Sequence, residues 1–190
     1  MTGPYWTIVS CSWVVFWIYW SVSTRRIHAP RRRASLAFTI LNTALLYAGF
    51  VLVLVGRQVA GPLAIRFTSG AAYSDIAGTA FVVAGVALAI WSRRVLGSNW
   101  SGAVRITEGQ CLVRTGPYAS VRNPIYSGIA LAVLGTALVA ATIGGLLGFA
   151  LVVASLWQKG RMEERFLLAE FGGEYAAYQR EVKFLIPFII

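Results

Sequence analysis

Two short segments carry most of the residues able to do chemistry. The first is Arg122-Asn123-Pro124-Ile125-Tyr126, preceded by a Gly116-Pro117 turn signal and Tyr118. The second is the carboxylate pair Glu163-Glu164. Pro124 suits the first position of a helix, where no hydrogen bond is lost, and Asn123 suits its cap. A positive helix terminus, Arg122 and two tyrosines at one locus suit an anionic group such as a carboxylate or phosphate. Arginine and tyrosine at a membrane boundary also anchor a helix without any ligand, so both readings stand at this level. Glu163 precedes Leu167 by four residues, and Leu167, Phe171, Tyr175, Tyr178 and Val182 form one apolar stripe on a helix expected from Arg161 to about Val182. At least one carboxylate therefore faces inward, where it needs a cation. Acidic decoration of a helix N-terminus is the simpler alternative.

The elements that must position these groups are membrane helices. The chain has 190 residues, 57% hydrophobic and only 13% charged, with a mean hydropathy of +0.67. That composition, in long uncharged runs, predicts an all-α polytopic membrane protein with a single domain over 1–190. Residues 1–91 hold three spans, near Tyr5–Ser23, Leu36–Val55 and Ile76–Trp91, the last with Tyr73, Ser74 and Asp75 capping its start. Residues 92–190 hold a loop, a helical hairpin and the C-terminal helix. No charge occurs between Arg122 and Lys159, a stretch too long for one span, so the Gly144-Gly145 pair predicts a turn between short helices at Ile125–Ala141 and Gly145–Trp157. Gly144 and Gly148 also fit a small-xxx-small contact.

The net charge of +10 does not point to nucleic acid, because the arginines cluster at the ends of apolar runs. Five lie between spans one and two, five between three and four, and five lysines and arginines follow the fifth; only Arg57 and Arg66 lie between two and three. Five spans, the N-terminus outside and the C-terminus in the cytoplasm follow. The opening run lacks a basic n-region and reads as a first span rather than a cleaved signal peptide. Lone His28 excludes a His/Cys zinc framework, so no metal is expected. Cys11 and Cys111 fall toward opposite sides of the membrane and are not expected to pair. No base is placed beside Cys111 to make it a nucleophile.

The motifs "GQCLVRTGPYASVRNPIYSG" and "EERFLLAEFGGEYAAYQREVKFLIPF" resemble the isoprenylcysteine carboxyl methyltransferase family of membrane methyltransferases, over about Leu96 to Phe188. The resemblance implies S-adenosylmethionine as cofactor, with S-adenosylhomocysteine as product, bound on the cytoplasmic side. It also implies a lipophilic or prenylated acceptor entering from the membrane lipids. On the matching positions it implies cofactor contacts at Gln110, Leu112, Val113, Gly116, Tyr118, Asn123, Pro124, Gly128, Glu163 and Glu164. Catalytic roles fall to Arg122, Tyr126, Glu163 and Glu164, with Arg122 able to pair with a carboxylate of cofactor or acceptor. Gly128 would allow close approach to the cofactor.

Two departures from the family pattern bear on the chemistry. Gln110 and Asn123 stand where the family has histidines. An amide hydrogen-bonds but does not titrate near neutrality, so neither residue can serve as a base. A carboxylate acceptor is already ionised at pH 7 and needs none. A phospholipid N-methyltransferase, an NADPH-dependent membrane reductase and a non-catalytic scaffold of the same fold are the rival readings. Asn99 and Trp100 are candidates to close over the site.

Overall fold

The computed structural model describes residues 3–23, 30–56, 58, 61–67, 72–97, 105–107 and 112–186. Six helices account for most of them: α1 Pro4–Ser23, α2 Leu36–Val55, α3 Ala72–Leu96, α4 Pro124–Ala140, α5 Ile143–Phe171 and α6 Gly173–Glu181. Two short strands, β1 Pro30–Arg33 and β2 Arg105–Thr107, pair antiparallel and tie the first loop to the third. Helices α1, α2, α3 and α5 are long and apolar enough to cross a membrane. At 17 residues, or about 26 Å, α4 falls slightly short of the roughly 30 Å hydrocarbon core. Large apolar side chains such as Val14, Ile18, Ile40 and Leu41 lie exposed on α1 and α2, as lipid-facing surfaces require.

The helix pairs α3–α4 and α2–α5 run antiparallel, and glycines set their spacing. Gly78 and Gly85 of α3 meet Gly135 and Gly128 of α4. A Cβ on Gly78 would come 2.6 Å from the Gly135 carbonyl oxygen, and one on Gly128 would come 2.6 Å from that of Gly85. Gly49 of α2 faces Gly148 of α5 in the same way, at 2.7 Å. Lipid tails are as apolar as leucine, so close backbone approach supplies the van der Waals contact that a hydrophobic driving force cannot.

The hairpin differs from the sequence expectation in two respects. The turn falls at Ala141-Thr142, not at Gly144-Gly145. Ala141 takes a left-handed conformation (φ 54°), and the Thr142 hydroxyl caps α5 by accepting from the Gly145 amide at 3.1 Å. Threonine capping outcompetes the glycine pair as a stop signal, which frees Gly144 and Gly148 to pack on α2. The second helix also does not end at Trp157. Nothing between there and Phe171 breaks it, and it continues for 29 residues, roughly 43 Å, so its last turns project beyond a bilayer core. The expected tail helix is thus two pieces, parted at Gly172 (φ 52°). The third span also runs longer than expected, from Ala72 to Leu96, with Asp75 inside its first turn.

Antiparallel packing collects the first loop, the third loop and the C-terminal tail at one end of the bundle. At the opposite end, Phe67 donates to the Ala141 carbonyl (3.1 Å) and Ile143 to that of Ile65 (3.0 Å). The basic segments and the segments rich in motif residues therefore share one end, as the alternation of loop charge requires.

Candidate active site

At that end, α4 begins at Pro124, and the chain leading into it lies beside the C-terminal segment. The Arg122 amide donates to the Lys183 carbonyl at 2.8 Å and the Asn123 amide to that of Phe184 at 3.2 Å. Asn123 holds the N-cap position without making the expected side-chain cap. Its amide nitrogen instead donates to the Phe184 carbonyl at 3.3 Å. The side chain is drawn away because the neighbouring tail offers an acceptor that the helix start does not.

Arg122 is the centre of a clamp. Its Nε donates to Glu164 Oε1 at 2.5 Å, and its Nη1 donates to the carbonyls of Gln179, at 3.1 Å, and Val182. Three of the five guanidinium donors are thereby committed to protein. Glu164 is 4% exposed, the Arg122 side chain 8%. The Tyr175 hydroxyl donates to the same Oε1 at 3.3 Å, and Arg161 stands 3.5 Å from Oε2. The inward carboxylate is therefore Glu164, and its cation is Arg122. Burial would penalise either charge alone, whereas the pair with its extra donors is satisfied. The carboxylate beside Arg122 in this structure is thus one of the chain's own.

The adjacent Glu163 points elsewhere. Its Oε2 accepts from the Tyr126 hydroxyl at 2.6 Å, and Lys159, one turn earlier on α5, places Nζ 5.7 Å from the centre of the Tyr126 ring. Tyr126 is itself buried, and Phe184 closes against Gly160 between the two elements. A carboxylate, a phenol and an ammonium group thus meet where α4 and α5 leave the apolar core. Lys159 was not a sequence candidate; its signal was its position as the first charge after Arg122 along the chain.

A second strap joins the loop to α6. The Tyr178 hydroxyl donates to the Tyr118 carbonyl at 2.5 Å, and Arg114 lies over the Tyr178 ring (5.1 Å) while donating to the Glu174 carbonyl. Burial pushes the ionisation of Tyr178 up to about 12 and that of Tyr118 and Tyr175 higher still. All three remain neutral donors at physiological pH. Among the described residues, Arg114 Nε is buried with no hydrogen-bond partner.

Of the residues the sequence nominated, the structure gathers Tyr118, Arg122, Asn123, Pro124, Tyr126, Glu163 and Glu164 at this end. Leu112 and Val113 are half-buried just ahead of them, and Gly116 (φ 59°) makes the turn. Gly128 lies one turn into α4, but its open side is filled by Gly85 and Ala89 of α3. Its close approach is to helix α3. Gln110, Asn99, Trp100, Cys111 and His28 lie outside the described residues.

Residues 73–174 match the family described as phospholipid methyltransferase. Over 88 residues the chain is 37% identical to protein-S-isoprenylcysteine O-methyltransferase of Schizosaccharomyces pombe, an alignment covering 46% of this chain and 37% of that protein. Among solved structures it resembles the eukaryotic intramembrane Ras methyltransferase ICMT (isoprenylcysteine carboxyl methyltransferase). The TM-score is 0.54 at 26% identity, over 84% of this chain and 55% of that one. The matched regions span little more than half the length of these relatives at most.

Proposed function

The chain belongs to the phospholipid methyltransferase family, and from that premise we propose that it transfers methyl groups from S-adenosylmethionine to a lipophilic carboxylate of isoprenylcysteine type. The observation that carries this reading is the meeting of Glu163, Tyr126 and Lys159 at the inner mouth of the α4–α5 hairpin.

The residues present fit the cofactor. A carboxylate beside a tyrosine suits a sulfonium or ammonium cation, through charge and ring face together. The partnerless Arg114 Nε offers a donor to an anionic or hydroxyl group. Glu163 and Arg114, with the half-buried Leu112 and Val113 between them and Tyr118, would hold it. When bound, S-adenosylmethionine supplies an electrophilic methyl group.

The chain's own residues orient the acceptor. Lys159 attracts a carboxylate to the Tyr126 ring, and the Tyr126 hydroxyl, held by Glu163, presents the ring in one orientation. A carboxylate acceptor loses no proton and needs no base. Gln110 and Asn123, where the family pattern has histidines, are compatible with that chemistry. Arg122 and Glu164 position the tail rather than touch reactants. The excess of arginine at this end supports a site on the cytoplasmic face, by the positive-inside rule.

A second reading is methylation of a phospholipid amine, favoured by the description of the matched family. An amine must lose a proton, and Glu163 with Tyr126 would take it.

The test uses purified protein in nanodiscs. Calorimetry should show S-adenosylmethionine and S-adenosylhomocysteine binding, weakened at least about tenfold, or 1.4 kcal/mol, by Glu163→Gln. Radiolabelled methyl groups should appear on a prenylcysteine analogue as an alkali-labile ester. Alkali-stable label on phosphatidylethanolamine would establish the amine reading instead. Absence of cofactor binding by folded protein would remove both.

A further inference from the structure

The described chain beyond α6 forms no helix. Val182 turns extended (φ −118°, ψ 138°), and Lys183 pairs parallel with Val121 across a single bridge. Besides the bonds from Arg122 and Asn123, the Ser127 hydroxyl donates to the Leu185 carbonyl. This strap therefore lies along the entry to α4. It carries Phe184, 3% exposed, into the apolar core beside Ile125 and Tyr126.

Three side chains hold the Phe184 ring. The guanidinium carbons of Arg161 and Arg122 lie 5.4 and 5.8 Å from its centre, and Trp157 meets it edge-on at 4.7 Å. Its far edge enters a notch at Gly160. A Cβ on Gly160 would lie 2.8 Å from Phe184 Cζ, 3.2 Å from Phe184 Cε2 and 3.4 Å from Tyr126 Cδ2. Gly160 lies inside α5 and has no positive φ, so backbone conformation does not call for glycine there. Glycine inside a helix is destabilising relative to alanine. What the position gains is space, and two rings share it.

Tyr126 depends on that notch. The hydrogen bond from its hydroxyl to Glu163 Oε2, at 2.6 Å, fixes the phenol oxygen, which lies on the ring's own flip axis. Rotation about that axis is checked by packing against the ring. Lys159 lies over the ring, and Phe184 meets it above Gly160.

We propose that Phe184 is a positioning residue for methyl transfer: seated at Gly160, its edge fixes the rotation of the Tyr126 ring beside Glu163 and Lys159. The proposal rests on the methyltransferase reading above and extends the site to the C-terminal strap. A ring free to turn presents a changing face to the acceptor beside Lys159. Alignment is then lost although every group is still present.

The test swaps the two surfaces. Gly160→Ala pushes the Phe184 ring out of the notch. Phe184→Leu keeps an apolar side chain but lacks Cε2 and Cζ, which leaves the notch empty. In the double variant the alanine methyl takes the place of the ring edge against Tyr126. The protein is held in nanodiscs with saturating S-adenosylmethionine and an N-acetyl-S-prenylcysteine acceptor. Each single substitution should lower kcat about tenfold, with S-adenosylhomocysteine affinity changed less than about twofold. The double variant should recover to within about threefold of wild type. Ser127→Ala removes a bond of the strap but leaves the ring seated, so it should lower the melting temperature and keep kcat within about twofold.

Unchanged kcat per cofactor-binding site in both single variants, or a double variant slower than either, would overturn the proposal. A loss in Ser127→Ala as large as in Phe184→Leu would assign the effect to strap attachment and overturn it as well. Fluorine NMR of protein labelled with 3-fluorotyrosine reads the ring without turnover, the Tyr126 signal being the one lost in Tyr126→Phe. A held ring gives two lines, one for each edge that carries the fluorine, and a turning ring gives one averaged line. Two lines are expected in wild type and in the double variant, and one in Phe184→Leu. One line in wild type, or two in Phe184→Leu, would refute the positioning role. Wild type with two lines that neither binds S-adenosylhomocysteine nor methylates the acceptor would overturn the methyltransferase reading while upholding the hold of Phe184 on Tyr126.

Discussion

Helices α3 and α4 touch backbone to backbone, while α1 and α2 meet over the same floor through large rings, Trp13 packing edge-on against Phe50 at 5.3 Å. In the first pair, Gly78, Gly85, Gly128 and Gly135 leave no room for even a methyl group. In the second, Trp6, Trp13, Trp17 and Phe50 face a crevice and the lipid. Both arrangements are built from apolar residues in one solvent, so hydrophobicity does not distinguish them. Side-chain size does. Small residues draw helices together in lipid, where packing is the principal attraction, and bulky ring systems hold them apart. The tight pair gives a rigid platform at the start of α4, where Arg122 and Tyr126 must be held.

The largest effect should come from breaking the tight pair. Gly128→Leu would drive a side chain into the Gly85 carbonyl and the Ala89 backbone, neither of which can rotate away. We expect no folded protein on size-exclusion chromatography, whereas Ile18→Val on the lipid face of α1 should change the melting temperature by no more than about 1 °C. Recovery of a well-folded Gly128→Leu protein would show that α3 and α4 are not in backbone contact.

The next effect separates neighbours along α5. Glu164→Ala leaves the Arg122 guanidinium buried without its carboxylate, a loss of about 3–5 kcal/mol. Thermal unfolding should shift accordingly, and limited proteolysis should begin within the C-terminal tail that the clamp holds. Glu163→Gln keeps a hydrogen-bond acceptor for the Tyr126 hydroxyl and should leave the melting temperature within a few degrees. Methyl transfer should nevertheless fall about a hundredfold, or 2.7 kcal/mol. If the two substitutions behave alike, the assignment of one carboxylate to the clamp and the other to the site is wrong.

Much of this was legible before any coordinates. Uncharged runs announced the spans, alternating loop charge announced which segments share an end, and the stripe of Leu167, Tyr175 and Tyr178 announced an inward carboxylate. The identity of that carboxylate was not legible, because Glu163 and Glu164 differ by only 100° on a helix and each heads a plausible stripe. The hairpin turn was misplaced for a related reason. Gly144-Gly145 is a strong local stop signal, but tertiary contacts, of Gly144 with Gly56 and Leu63 and of Gly145 with Ala137, use those glycines inside a helix, and Thr142 supplies the cap. Lys159 escaped notice because its partner Tyr126 is 33 residues away along the chain. The crevice beside Trp13 and Phe50 depends on which rings meet between α1 and α2, and periodicity carries no record of that.

The smallest effect concerns the strap that holds α6 against the platform. Tyr178→Phe removes the hydrogen bond to the Tyr118 carbonyl, a loss of about 1 kcal/mol near neutrality. Its pH dependence is more informative. The folded phenol ionises near 12, above the value of about 10 expected of the unfolded chain. Its contribution is therefore complete below pH 10 and is lost as pH rises toward 12, because the unfolded state releases its proton first. Tyr118 and Tyr175, shifted in the same direction, steepen that decline. Wild type should lose melting temperature between pH 10 and 12 more steeply than Tyr178→Phe, and tryptic cleavage at Arg180 should be the first sign. Identical slopes would mean that Tyr178 is open to water, and that α6 is held by the Arg122–Glu164 clamp and the Arg114 contacts without it.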